Sequence, residues 1–145
     1  MQATEQQSIV IEQIIDAPSD KVWKALTDIK ALSKWAPFFS DFKPEIGFET
    51  RFKLGASEER QYTHICKVTE VEDGRKLTYG WRYDGYPGDS YVTFTLVPEQ
   101  NHTNLKIKYK ITEPFPADNP DFSPENFAQG FTYTLNTLKE FVENE

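Results

Sequence analysis

Residues 123–143 read SPENFAQGFTYTLNTLKEFVE, and the fold turns on this stretch. Ser123 precedes Pro124 and Glu125, which gives an N-cap, a proline at the first helical position and an acid in the first turn. Phe127, Phe131, Leu135, Leu138 and Val142 then recur at spacings of four, four, three and four. At 100° per residue these five fall within an arc of about 80°. The pattern predicts one amphipathic helix over Ser123–Glu143 with a single apolar stripe, which needs a broad apolar surface to pack against.

The upstream chain supplies that surface as strands. Phe48, Thr50, Phe52 and Leu54 alternate with Glu49, Arg51 and Lys53, as a half-buried antiparallel strand does. In Gln61–Val71, the residues Tyr62, His64, Cys66 and Val68 share a face, and Val71 falls out of step with it, which points to a bulge. Asp73-Gly74 marks a tight hairpin. Leu77, Tyr79, Trp81 and Tyr83 form the next inner set, then Val92, Phe94 and Leu96, then Leu105, Ile107, Tyr109 and Ile111. Asp84–Asp89 and Pro98–Asn104 read as the connecting turns. Lys106, Lys108 and Lys110 line an outer face, where they discourage edge pairing. The N-terminal part differs. Ser8–Ile15 is a β-branched strand, Asp16-Ala-Pro-Ser-Asp20 ends it, and Ser19 is the expected cap of a short helix carrying Val22, Trp23, Ala25 and Leu26. Asp28 is the expected cap of a second helix, Ile29–Lys34. Segregated strands and helices argue an α+β fold, a curved antiparallel sheet against the long C-terminal helix, with two short helices after the first strand.

Composition narrows the function. The 145 residues are read as one domain, residues 1–145, with 1–7 as a disordered or extended tail. A net charge of −7 suits neither a nucleic-acid backbone nor an anionic membrane. The two short helices resemble a helix–turn–helix in outline, but no basic recognition helix follows, so no nucleic acid partner is expected. No basic leader and no apolar run of about 20 residues is present, so a cytoplasmic protein without membrane insertion is expected. Three Trp, seven Tyr and eleven Phe make up 14% of the chain. Rings in that number suit both a packed core and the wall of an apolar cavity.

Three local signatures then carry a resemblance. Ala17-Pro18 is followed by Val22-Trp23-Lys24-Ala25-Leu26-Thr27-Asp28, then by Leu32-Ser33-Lys34-Trp35, and finally by Gly130-Phe131 with Leu135 and Leu138. In this order they resemble the helix-grip superfamily (SRPBCC), which includes birch-pollen-allergen-like and StAR-related lipid transfer domains. More narrowly they resemble the branch of heat-shock protein 90 ATPase activator homologues, with Phe131 standing where that branch usually has Trp. The resemblance covers about residues 8–143. It implies a curved sheet gripping the C-terminal helix, with a cavity between them that in the superfamily takes lipids, sterols, polyketides or hormones. It also implies a chaperone partner as an alternative role.

The residues themselves offer little catalytic chemistry. His102 lies in a hairpin and reads as an exposed turn residue. His64 and Cys66 share a strand face, but same-face neighbours stand about 6.5–7 Å apart at 3.3 Å rise per residue, beyond the reach of a nucleophile dyad. His64 therefore reads as a semi-buried, hydrogen-bonded histidine. No ligand-spaced cluster suggests a metal, no Gly-rich loop a phosphate, and no cofactor motif occurs. Glu58-Glu59 reads as a surface turn, and Glu12, Glu70 and Asp84 are scattered. The expected cavity lining is Trp35, Phe38, Phe39, Phe52, Tyr62, His64, Trp81, Tyr83, Tyr109, Phe127 and Phe131. The reading is a non-enzymatic binder of a small hydrophobic ligand, as a monomer or dimer. A cyclase or dehydratase using His64 with Tyr62 or Tyr83, and a chaperone-interaction module, are its alternatives.

Overall fold

A computed structural model describes residues 8–39, 41–57 and 60–144. The expected tail 1–7 and the expected surface turn at Glu58-Glu59 lie outside the described residues. The elements run β1 (Ser8–Ile15), α1 (Ser19–Thr27), α2 (Ile29–Trp35), β2 (Glu49–Ser57), β3 (Arg60–Glu72), β4 (Lys76–Tyr83), β5 (Asp89–Glu99), β6 (His102–Glu113), a 3-10 turn (Pro120–Phe122) and α3 (Pro124–Glu143). Among the described residues the strands form one antiparallel sheet, ordered β1-β6-β5-β4-β3-β2. The first strand therefore lies beside the last, and α1 and α2 carry the chain from one sheet edge to the other. This is the helix-grip arrangement, with a curved sheet and a long C-terminal helix across it. No helix among the described residues is long and apolar enough to cross a membrane.

Register sets the inner face. Phe52, His64 and Tyr83 lie side by side across β2, β3 and β4, and Thr50, Cys66 and Trp81 form the next row. The bulge falls between Val68 and Glu70. One extra residue there, Thr69, returns Val71 to the inner face opposite Leu77. Gly74 closes the following hairpin at φ +78°, a conformation that glycine adopts without steric cost.

Local chemistry explains the ends of the elements. Ser123 accepts the Asn126 N–H with its hydroxyl at 3.1 Å and Pro124 follows it, so α3 starts where its cap stands. Asp28 caps α2 by accepting the Lys30 N–H. Ser19 does not cap α1: Pro18 holds the N-cap position, no side chain caps it, and Ser19 is the first helical residue. The expected Pro98–Asn104 turn is shorter than the sequence suggests. Pro98 pairs with Thr103 and Glu99 with His102, leaving Gln100-Asn101 as the turn. Pro98 is tolerated there because β4 has already ended on that side, where the last ladder bond runs from Leu96 N–H to Arg75 O. His102 is exposed as expected, and its Nδ1 stands 3.0 Å from the Asp16 carboxylate.

The C-terminal half of α3 closes against β1 and α1. Leu135, Leu138 and Val142 are buried, as are Ile15, Val22, Leu105 and Ile107. Lys139 donates to the Ile14 carbonyl and to Glu143, and Glu143 accepts the Asp16 N–H. These contacts hold the Glu143 carboxyl below the usual carboxylate range, the backbone N–H of Asp16 contributing most.

Candidate functional site

The N-terminal half of α3 does not close in the same way. Between it and strands β2–β4 runs an open groove of about 650 Å³. Tyr62, His64, Trp81 and Tyr83 form its sheet wall, with Leu54 and Gly55 at the β2 edge. Phe127, Gly130, Phe131 and Thr134 belong to its helix wall. Trp35, Pro37 and Phe38 close one end, and Asp121 and Phe122 of the 3-10 turn close the other. A small void of about 30 Å³ continues behind Phe38 and Phe131 toward Leu26 and Phe42.

Eight of the residues expected at the cavity line this groove: Trp35, Phe38, Tyr62, His64, Trp81, Tyr83, Phe127 and Phe131. Phe39, Phe52 and Tyr109 do not. They form the layer beneath, Phe52 stacked under His64 at 5.0 Å, Phe39 against Phe52 at 4.9 Å, and Tyr109 against Phe127 and Phe131 at 5.0 and 4.8 Å. Inward alternation told which rings face the helix, but not which of them the helix covers.

The polar groups of the wall are arranged by the register. His64 is 6% exposed, stacked on Phe52, with the edges of Trp81 and Tyr83 against it. Its Nδ1 lies 2.8 Å from the Tyr62 carbonyl. A carbonyl only accepts, so that nitrogen carries the proton. Burial pulls the imidazole pKa down from 6.5 to about 4, so near neutral pH the ring is uncharged and Nε2 carries a lone pair. Trp81 Nε1 donates to the Tyr83 hydroxyl at 2.9 Å. Burial raises the Tyr83 phenol well above its ordinary pKa. Tyr62 is engaged differently: it donates to Asp121 at 2.6 Å and accepts from Asn119 at 3.2 Å. That contact ties β3 to the 3-10 turn, and the hydrogen bond to Asp121 raises the Tyr62 pKa.

The helix wall was not legible as a site. Gly130, Tyr133, Thr134 and Thr137 line the groove, one position beside the buried stripe and with the same helical spacing. Thr134 and Thr137 donate to carbonyls one turn back, Gly130 O and Tyr133 O. Gly130 was the available signal. It is a glycine inside a helix, and a Cβ built there meets nothing within 4 Å, so no close packing requires it. Asp121 and Phe122 were hidden in the Pro-rich passage, where the 3-10 turn has no periodicity to read.

Cys66 is buried, and its thiol is pushed up by desolvation, which makes it an inert packing residue. Among the described residues no His, Cys, Asp and Glu side chains converge in a group that could hold a metal ion.

The comparisons with known proteins agree with this geometry. The family model described as "Activator of Hsp90 ATPase homolog 1-like protein" matches residues 16–143. The chain matches no curated protein significantly. Among solved structures, protein CV1439 from Chromobacterium violaceum is 26% identical with a TM-score of 0.77, covering 94% of this chain and 96% of that one. CalU16 from Micromonospora echinospora is 28% identical with a TM-score of 0.68, covering 95% of this chain and 77% of that one. Ara h 8.0201 has a TM-score of 0.76 at 12% identity, covering 97% of this chain and all of that one, a likeness of fold alone.

Proposed function

The chain belongs to the activator of Hsp90 ATPase homolog 1-like family of the helix-grip superfamily, and from that premise we propose that it is a cytoplasmic, non-enzymatic binder of one small apolar ligand in the groove of about 650 Å³. Gly130 is the observation that carries this reading. Glycine inside a helix costs about 0.5–1 kcal/mol relative to alanine, and here the space over it is empty. A residue that weakens the helix without improving the packing keeps the groove wide.

The walls suit the role. Rings already held by their neighbours give an apolar occupant a preformed surface. An occupant losing about 300 Å² of apolar surface gains roughly 7–8 kcal/mol. At least about 4 kcal/mol of that offsets lost translation and rotation, so ring burial alone holds it weakly.

The enzymatic alternative has less support. An efficient acid or base titrates near the working pH. His64 titrates at about 4, the Tyr83 phenol is raised, and Tyr62 already donates to Asp121.

The test is a titration of flavonoids, sterols and fatty acids against intrinsic fluorescence. At least one flavonoid or sterol should give saturable quenching that is reduced in Trp81→Phe and lost when Trp35→Phe is added, because Trp35 and Trp81 line the groove and Trp23 is on α1. If no member of the panel changes the emission, the proposal is wrong.

A further inference from the structure

Resting on the reading of this groove as a ligand site, we propose that its occupant carries a hydroxyl, alcoholic or phenolic, on an apolar ring skeleton, and that this hydroxyl bridges His64 and Tyr83.

The argument is an account of donors and acceptors. His64 and Tyr83 are direct partners across β3 and β4, with ring centroids 4.7 Å apart. Both line the groove and both are more than nine-tenths buried, at 6% and 5% exposure. The proton on Nδ1 of His64 is committed to the Tyr62 carbonyl. Nε2 therefore faces the groove as an acceptor, and it has no hydrogen-bond partner among the described residues. The Tyr83 oxygen accepts from Trp81. Its own proton is not donated to any group among the described residues, so it remains available. Of the other groove hydroxyls of the described residues, Tyr62 is committed to Asp121, Thr134 to Gly130 O and Thr137 to Tyr133 O, and that of Tyr133 belongs to a side chain 74% exposed to water. One buried acceptor and one buried donor are left, on adjacent rings.

A hydroxyl is the smallest group that donates and accepts at a single atom. It can donate to Nε2 and accept from Tyr83 at once. An ether or ketone answers only Tyr83 and leaves Nε2 unpaired. An ammonium can donate to Nε2 but offers nothing to the Tyr83 proton. A carboxylate sets its charge against the Nε2 lone pair, and no lysine or arginine lines the groove among the described residues. Burying a charge without a partner is costly. The pair thus selects by polarity within a groove that otherwise selects by shape.

The test is calorimetric titration at neutral pH with three probes on one skeleton: 4-phenylphenol, 4-methoxybiphenyl and biphenyl-4-carboxylate. Each neutral hydrogen bond contributes a few-fold in affinity. The phenol should bind about tenfold more tightly than the ether, and the carboxylate most weakly. Tyr83→Phe keeps the ring and removes the donor, and it should weaken the phenol and the ether alike by about threefold while the preference for phenol, which rests on Nε2, stays, with circular dichroism confirming the fold. The wild-type series decides the matter even if that variant does not fold. An ether within twofold of the phenol, or a carboxylate as tight as either, overturns the hydroxyl inference while leaving the groove as an apolar ligand site. Binding by none of the three probes removes both.

Discussion

The two halves of α3 face the same sheet and treat it differently. From Leu135 onward the helix presents Leu135, Leu138 and Val142 to a surface of Ile15, Val22, Leu105 and Ile107, and all of these are buried. Branched aliphatic side chains interdigitate and draw helix and sheet together. Lys139 and Glu143 add hydrogen bonds to the β1 end at Ile14 and Asp16. Before Leu135 the helix presents Phe127 and Phe131 to Trp81, Tyr83 and Tyr109, with ring centroids 4.8–6.4 Å apart in tilted, stacked and edge contacts. Flat rings at such spacings make good pairwise contacts, but here they do not close the interface. One half of a single helix serves as core and the other as the wall of a groove, and the change from aliphatic to aromatic side chains marks the boundary.

The largest test of this contrast pairs one substitution from each half. Phe131→Ala should lower unfolding free energy by about 3–5 kcal/mol and Leu138→Ala by about 2–5 kcal/mol. Only Phe131→Ala should also change ligand affinity, because Leu138 lies outside the groove. Denaturant melts and ligand titrations on both variants check this. A loss below about 1 kcal/mol for Phe131→Ala would mean that ring is not core.

Next in size is the pH dependence contributed by His64. Its pKa falls from 6.5 to about 4 on folding, so the unfolded chain binds the proton more readily. The associated stability is complete above pH 6.5 and is lost as pH falls toward 4. By pH 4.5 the loss amounts to about 2–3 kcal/mol. A His64→Phe variant should lack this component, so the wild-type-minus-variant difference in unfolding free energy should shrink by that amount between pH 7 and 4.5. Carboxylates titrating in the same range cancel in the difference.

Smaller still is the tie between β3 and the 3-10 turn. Tyr62→Phe removes the hydrogen bonds with Asp121 and Asn119 at a cost of about 0.5–1.5 kcal/mol. Hydrogen exchange should rise in residues 116–123 and stay unchanged in the C-terminal half of α3.

Much of this architecture is legible in the sequence. Strand alternation placed the inner rings, Val71 gave away the bulge, and Ser123-Pro124-Glu125 fixed the start of α3, because each is a local consequence of backbone geometry. Ser19 misled because a serine after proline looks like a cap, while the extended conformation of Pro18 itself provides the N-cap position. The groove was legible only in part. Phe39, Phe52 and Tyr109 carry the same inward signal as Phe38, His64 and Trp81, and what separates the two sets is how far α3 stands off the sheet. That distance is set by packing from both halves of the helix, and no window of sequence contains it. The Thr134 and Thr137 side of α3 escaped for the same reason.

Gly130 gives the smallest effect and the sharpest test. Gly130→Ala should raise stability by about 0.5–1 kcal/mol, since the added methyl meets nothing within 4 Å. The most direct measurement extends this to Gly130→Phe, with calorimetric binding of 4-phenylphenol and thermal unfolding recorded on the same sample. The account predicts an affinity at least tenfold weaker with an unfolding midpoint equal to or above that of the wild type, because the ring fills the groove without disturbing the closed half. A folded Gly130→Phe variant that binds the probe as tightly as the wild type would contradict it.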